Sequence, residues 1–177
     1  MSDLSWKELK RQQAFKKYSR VIDEVTFELP NGEQQDFYIK REGPAAAILA
    51  LTSDNEVILV RHYRPGPQQI LLELPGGYVD PDEDPAVSAA RELKEETGYE
   101  GKLELVTSSL DDAYSTMQRF CFVATACRKV TEAQQTPTET VEVVLMPLEK
   151  FRLHLRSGQL TDIEVGYLGL DHLGLLK

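Results

Sequence analysis

Residues 76–99 read GGYVDPDEDPAVSAARELKEETGY, and the way this stretch folds decides how the rest of the chain is arranged around it. Asp84 has the side chain of an N-cap. Pro85 suits the first helical position, where its missing N–H has no helical partner to lose, and Gly98 suits the position just past the end, where the backbone turns left-handed. These signals predict a helix over about residues 85–97. At about 100° per residue, Ala86, Ala89, Ala90, Leu93 and Thr97 form one apolar stripe, and Glu92, Glu95 and Glu96 crowd onto an adjacent one.

That crowding has a cost. Glu92 with Glu95, and Glu92 with Glu96, are like-charge pairs each unfavourable by roughly 0.2–0.5 kcal/mol. Negative charge close to a helix C-terminus opposes the macrodipole by roughly a further 0.3–1 kcal/mol per site. Arg91 can offset part of this by reaching Glu95. A solvated acidic face is one reading of the cluster, and a divalent cation held by the carboxylates is the other. A calcium loop in Asp80-x-Asp82-x-Asp84 is excluded, because Pro85 stands where that loop needs glycine and Arg91 where it needs a bidentate glutamate.

Working outward, Ser5-Trp6-Lys7-Glu8 has the form of a capping box, and with Leu9 and Gln13-Ala14 it predicts a short N-terminal helix whose basic residues form a solvated face. From Val25 the pattern alternates through Phe27 and Leu29, turns at Pro30-Asn31-Gly32 and resumes at Phe37 and Ile39, which predicts a hairpin. Further strands are expected over 45–51, 57–60, 70–74, 103–109, 119–126 and 141–146, and two more helices over about 148–156 and 162–173. Strands in runs, interrupted by helices rather than alternating with them, indicate an α+β or mixed α/β sandwich. The expected organisation is a single domain over 1–177, with 1–42 forming an N-terminal helix and hairpin.

Composition excludes several functions. The net charge of −9 argues against nucleic acid and anionic membrane surfaces, both of which require basic patches. The longest apolar stretch, 45–51, is far shorter than the roughly 20 residues that span a bilayer, and a soluble cytoplasmic protein is expected. Cys121 and Cys127 are spaced to lie on one face of a strand about 20 Å apart, too far for a disulfide. His62, His154 and His172 are scattered, none at zinc-ligand spacing from a cysteine, so any metal here is a hard, oxygen-liganded one.

The pattern Gly77-x5-Glu83-x7-Arg91-Glu92-Leu93-x-Glu95-Glu96-x-Gly98-Tyr99 resembles the Nudix box, the signature of Nudix hydrolases. Tyr99 departs from the usual aliphatic residue at what is a packing position. Leu72-Glu73-Leu74-Pro75-Gly76-Gly77, the upstream Arg61-His62-Tyr63-Arg64 and the N-terminal hairpin look like the branch that hydrolyses ADP-ribose and nucleoside diphosphate sugars. The resemblance implies an α/β/α sandwich around a mixed sheet. It also implies hydrolysis of a nucleotide-sugar pyrophosphate with Mg²⁺ or Mn²⁺, giving a nucleoside monophosphate and a sugar phosphate.

Carried over residue by residue, the resemblance makes Glu92 and Glu96 metal ligands, completed by the Gly76 carbonyl, with Glu95 coordinating a second ion or holding the network. Arg91 then orients Glu83 or Glu95. The general base is expected from a loop beyond the box, with Glu139 as base or additional ligand and Glu142 in reserve. Arg64, and secondarily Arg61, offer guanidinium forks suited to phosphate oxygens. Tyr18 and Trp6 are the aromatic candidates for stacking on the base, since N-terminal strands in this branch commonly help form a homodimer that shares the site. ADP-ribose-specific members tend to carry a proline about 16 residues past the box, and residues 113–118 have none, which widens the expected substrates. The alternatives are a Nudix hydrolase for dinucleoside polyphosphates or coenzyme A, and a non-catalytic nucleotide-sugar-binding module.

Overall fold

The structure, a computed structural model, describes residues 4–134 and 140–177. The chain divides into two compact units, Met1–Pro44 with Leu110–Gln118, and Ala45–Ser109 with Arg119–Lys177.

The first unit is a three-stranded antiparallel sheet of β1 (Lys7–Lys17), β2 (Arg20–Glu28) and β3 (Gln34–Lys40), in that order. The expected hairpin is β2–β3, with Val25 opposite Phe37. The expected N-terminal helix is instead β1. Its backbone pairs with β2 from Lys7 opposite Glu28 to Lys17 opposite Arg20, with irregularities at Leu9 and Ala14, and Arg11 reaches the buried Asp23 carboxylate at 3.1 Å, which Arg41 also holds at 3.0 Å. Trp6, just before β1, packs on Phe27 and Phe37 with ring centroids 5.9 and 5.0 Å apart. Ladder pairing and these contacts override a local capping signal, as tertiary context can override propensity. Every residue of β1 stays exposed, so no apolar alternation marked the strand.

The second unit is built on a seven-stranded mixed sheet: β4 (Ala45–Thr52), β5 (Glu56–Arg64), β6 (Gln69–Glu73), β7 (Gly76–Tyr78), β8 (Tyr99–Leu110), β9 (Gln118–Lys129) and β10 (Glu142–Pro147). The order is β10-β5-β4-β9-β8, with β6 on β5 and β7 on β4. β4 and β9 run parallel, and β4 pairs antiparallel with both β5 and β7. The helix α1 (Pro85–Thr97) packs against one face, and α2 (Leu148–Ser157) and α3 (Ile163–His172) against the other. Alternation along β4 separates the two cores. Ala46, Ile48 and Ala50 meet Ala89, Leu93 and Phe122, whereas Ala47, Leu49 and Leu51 meet Phe151, Leu155, Val165 and Leu170. This is the expected α/β/α arrangement, with a mixed sheet.

Two details differ from expectation. The short strand β7 was not anticipated, because a Gly-Gly-Tyr segment carries no strand signal. The two cysteines also lie on opposite faces, Cys121 in the core beneath α2 and α3 and Cys127 in the core beneath α1. The cause is an irregularity in β9, where Ala126 takes φ 51° and the register with β4 slips, so the alternation changes face between the two thiols. Both are free and buried. Among the described residues, no helix is long and apolar enough to cross a membrane.

Candidate active site

The limits of α1 are set locally. The Asp84 carboxylate accepts the Ala86 N–H at 2.7 Å, Pro85 opens the helix, and Gly98 closes it at φ 76° with its N–H on the Lys94 carbonyl. The buried face is rotated from the expected stripe. Ser88, Ala89, Leu93 and Thr97 are buried, while Ala86 and Ala90 are exposed. Ser88 donates to the Tyr78 carbonyl at 3.3 Å and accepts from Arg91 at 3.2 Å, which turns the helix toward β7. Consequently the acidic stripe is half-buried and does not simply face water.

That rotation brings the carboxylates to the Gly76–Gly77 backbone. The Gly76 N–H donates to Glu96 Oε2 at 2.9 Å. A Cβ on Gly77 would stand 2.6 Å from the Glu92 carboxylate, and one on Gly76 would stand 2.3 Å from the Ala46 carbonyl oxygen, so neither position has room for a side chain as packed. Arg91 holds the remaining carboxylates. Its guanidinium donates to Glu83 at 3.2 and 3.0 Å, to Glu92 at 2.8 Å and to Glu95 at 3.3 Å. Arg91's hydrogen bonds hold the Glu83 carboxyl below its ordinary range against a smaller opposing effect of burial. Burial would lower the Arg91 pKa, yet hydrogen bonds led by Glu83 raise it, so the guanidinium stays charged. Four carboxylates and one arginine thus form one array beside a glycine turn, and the like charges are separated by hydrogen bonds rather than left to repel.

The donor set suits a hard divalent cation, being all oxygen and converging on a backbone turn that has no side chain. Among the described residues no three His, Cys, Asp or Glu side chains already stand closed as a metal cage. The carboxylates are held instead by Arg91 and the Gly76 N–H. Glu139 lies outside the described residues. Glu142, its reserve, opens β10 and pairs with Arg61 at 2.7 Å on the surface.

Arg64 does not stand alone. Its Nε donates to Glu73 Oε2 at 2.5 Å, and His62 Nε2 meets the same oxygen. Glu73 has 0% of its surface exposed, and its other oxygen accepts the Thr161 N–H at 3.1 Å and the Thr161 hydroxyl at 2.5 Å. Burial pushes this carboxyl up, but the bonds from His62, Thr161 and Arg64 outweigh it and hold the pKa at about 2. Next along the chain, burial pushes Asp162 up to about 6 despite Arg119 at 3.1 Å, and Arg119 also holds Glu164 at 2.7 Å. Sequence reasoning did not assign this network. Its one sequence signal is Glu73 itself, a lone carboxylate inside the apolar run 70–74.

In the first unit, Trp6 is half-exposed above Phe27 and Phe37, and Tyr114 stacks on Phe37 at 6.4 Å. Tyr18, with φ 52° in the turn between β1 and β2, is 88% exposed and makes a cation–π contact with Lys17.

Against known proteins, the sequence profile of the NUDIX domain matches residues 41–163. The chain belongs to the Nudix family. This Nudix chain is 31% identical to a methanol dehydrogenase activator of Bacillus methanolicus, over 93% of each chain. It is 30% identical to an ADP-ribose pyrophosphatase of Bacillus subtilis, over 94% of this chain and 92% of that one. Its fold matches a crystal structure of an ADP compounds hydrolase with a TM-score of 0.81, covering 99% of this chain and all of that one at 22% identity, a likeness of fold. Nudix hydrolases generally use divalent metals, in keeping with the oxygen-only donor set.

Proposed function

We propose that this Nudix chain is a metal-dependent pyrophosphatase for ADP-ribose or related nucleoside diphosphate sugars, releasing a nucleoside monophosphate and a sugar phosphate. The observation that carries this reading is the convergence of Glu92 and Glu96 on the Gly76–Gly77 turn within the array held by Arg91. The Bacillus subtilis relative supports the substrate class.

Glu92, Glu96 and the Gly76 carbonyl would hold Mg²⁺ or Mn²⁺, with Glu95 as a further ligand or a brace for the first two. Bound there, the ion offsets the charge of the pyrophosphate and makes water a better nucleophile. Arg91 keeps Glu83, Glu92 and Glu95 together beside the turn. Glu139 is the general base or an additional ligand. Gln134 supports this assignment, because its N–H donates to the Glu95 carbonyl at 2.7 Å and ties the chain just before that segment to the end of α1. Glu142 suits the role less well, being engaged by Arg61. Arg64 receives phosphate oxygens, with Arg61 secondary, and Trp6 or Tyr18 meets the base.

A homodimer is part of the reading. β1 is an edge strand of 11 residues, and Leu9 and Phe15 on it, with Trp6 beside it, are exposed apolar side chains that a second copy would cover. Two buried free thiols fit work in the cytoplasm.

A second substrate reading, another nucleoside diphosphate derivative, is favoured by the missing proline in residues 113–118. A panel of ADP-ribose, other nucleoside diphosphate sugars, a dinucleoside polyphosphate and coenzyme A separates the two, scored by phosphate freed after phosphatase coupling. Fastest turnover on ADP-ribose or a nucleotide sugar is expected. Preference for the dinucleoside polyphosphate or coenzyme A would replace the first reading with the second, and no turnover with either metal would point to a binding module.

A further inference from the structure

We propose that Glu73 is a positioning residue for substrate binding, its buried carboxylate fixing the Arg64 guanidinium across the β5–β6 pair so that the outer edge of the fork is offered to the substrate's phosphates. The inference rests on the reading that Arg64 meets those phosphates.

A fully buried carboxylate is expensive unless it is surrounded by donors, and a well-packed apolar residue often serves stability as well as a buried ion pair. Glu73 is surrounded on both oxygens. Oε1 takes the Thr161 N–H and hydroxyl, which anchors the carboxylate to the segment before α3, and Oε2 takes Arg64 and His62. Thr161 therefore fixes the plane of the carboxylate, and the carboxylate fixes the arginine. β5 and β6 give the contact its register, since Val60 lies opposite Glu73 and Arg64 opposite Gln69. Val60, His62 and Arg64 share one face of β5, so both of its donors to Glu73 approach from the same side.

What remains of Arg64 is available for a ligand. The side chain is 40% exposed, only Nε is engaged by Glu73, and no described residue takes a hydrogen bond from Nη1 or Nη2. A guanidinium pinned at Nε keeps its terminal edge directed, and a directed fork loses less freedom when it grips two phosphate oxygens than one on a mobile stem. A solvent-exposed arginine on a β-strand end would otherwise sample many rotamers. His62, 10% exposed, meets the same Glu73 oxygen, and the carboxylate as a whole is closed to solvent. The negative charge of Glu73 is thus spent on protein donors, while the positive charge of Arg64 is left facing outward.

The test is a double-mutant cycle on the full chain with ADP-ribose and Mg²⁺, reading KM and kcat separately, with thermal melts on each protein. Arg64→Ala is expected to raise KM about tenfold with kcat changed less than about threefold, the size of one lost charge-assisted contact. Glu73→Gln keeps the shape but turns an amide N–H toward two donors, and is expected to raise KM by several fold in the wild-type background and not at all in the Arg64→Ala background. Should Glu73→Gln fail to fold, Glu73→Asp, which keeps the charge and withdraws it from Arg64, carries the same expectation. A lowered melting temperature with KM unchanged, or a KM increase of equal size in both backgrounds, overturns the inference and leaves Arg64 as a phosphate contact. An unchanged KM in Arg64→Ala overturns the Arg64 reading, and the inference with it.

Discussion

Alanine at Gly76 would carry its methyl carbon 2.3 Å from the Ala46 carbonyl oxygen and 2.8 Å from Ala47 Cα. Both are backbone atoms of β4, which cannot swing aside as a side chain can, so β7 must part from β4 or the two must distort together. Overpacking of this kind costs about 1–3 kcal/mol. At about 2–4 °C per kcal/mol for a chain of this size, Gly76→Ala should melt about 2–12 °C below wild type in chelator. At Gly77 the atoms nearest the added carbon belong to the Glu92 carboxylate, the far end of a flexible side chain, at 2.6 Å. Moving that side chain off its rotamer costs about 0.5–1.5 kcal/mol, or about 1–6 °C. The function of the site should suffer in both, because Gly76→Ala shifts the N–H that Glu96 accepts and Gly77→Ala displaces Glu92. Scanning fluorimetry of the three proteins with EDTA and then with Mg²⁺ or Mn²⁺, beside a turnover assay, reads both effects. The expected order of stability in EDTA is wild type, Gly77→Ala, Gly76→Ala, while the metal-induced rise in Tm and the turnover collapse in both variants. A Gly77→Ala protein that keeps the full metal-induced rise and full turnover would refute the placing of Glu92 at this turn as the ligand site.

Three further outcomes are expected. Arg91→Met leaves Glu83, Glu92 and Glu95 without their shared cation; with Arg91 30% exposed, solvent screening leaves a loss of about 1–3 kcal/mol in chelator. Millimolar Mg²⁺ should restore more of that stability than NaCl of equal ionic strength, and equal restoration would refute a cation site. Asp162, with its carboxyl raised from 3.8 to about 6 in the folded state, holds a proton more tightly folded than unfolded, so its contribution to stability is full below about pH 4 and lost as pH rises through 6. Asp162→Asn should therefore gain on wild type by up to about 3 kcal/mol between pH 4 and pH 7.5 in denaturant titrations, and a difference independent of pH would contradict the burial argument. Cys127, pushed by burial to about 11, and Cys121, also raised, should resist iodoacetamide at pH 8 in the native protein and react fully after unfolding; alkylation of the native protein, read by mass, would contradict their packing.

The features legible in the sequence were those fixed within a few residues. Asp84, Pro85 and Gly98 gave the limits of α1 because each cap satisfies its own helix end, and the apolar run 45–51 announced β4 because both its faces are buried. The residues around the glycine turn came from the Nudix box, but their geometry did not. Periodicity places Ala86 and Ala90 on the apolar stripe, yet Ser88 takes the buried place, since its hydroxyl has a partner in the Tyr78 carbonyl that only the fold supplies. β1 was illegible for a related reason: its residues are all exposed and its pairing partner is β2. The cysteines changed sides through one left-handed residue, Ala126, which alternation cannot register. Glu73 was visible as a charge among apolar neighbours, but its partner Thr161 is 88 residues away in the chain, and only the packed structure brings the two together.

The carboxylates at the Gly76–Gly77 turn are proposed to serve hydrolysis of a nucleotide-sugar pyrophosphate through a divalent ion. Its most direct measurement is chromatographic detection of AMP and ribose 5-phosphate from ADP-ribose, with Mg²⁺ or Mn²⁺ and with excess EDTA, for wild type and Glu96→Gln. Both products are expected in equal amounts from wild type with metal, none in EDTA, and a loss of about 10²-fold or more in Glu96→Gln, as when a group that stabilises the transition state is removed. Turnover undiminished in EDTA, or a Glu96→Gln variant as active as wild type, would contradict that role.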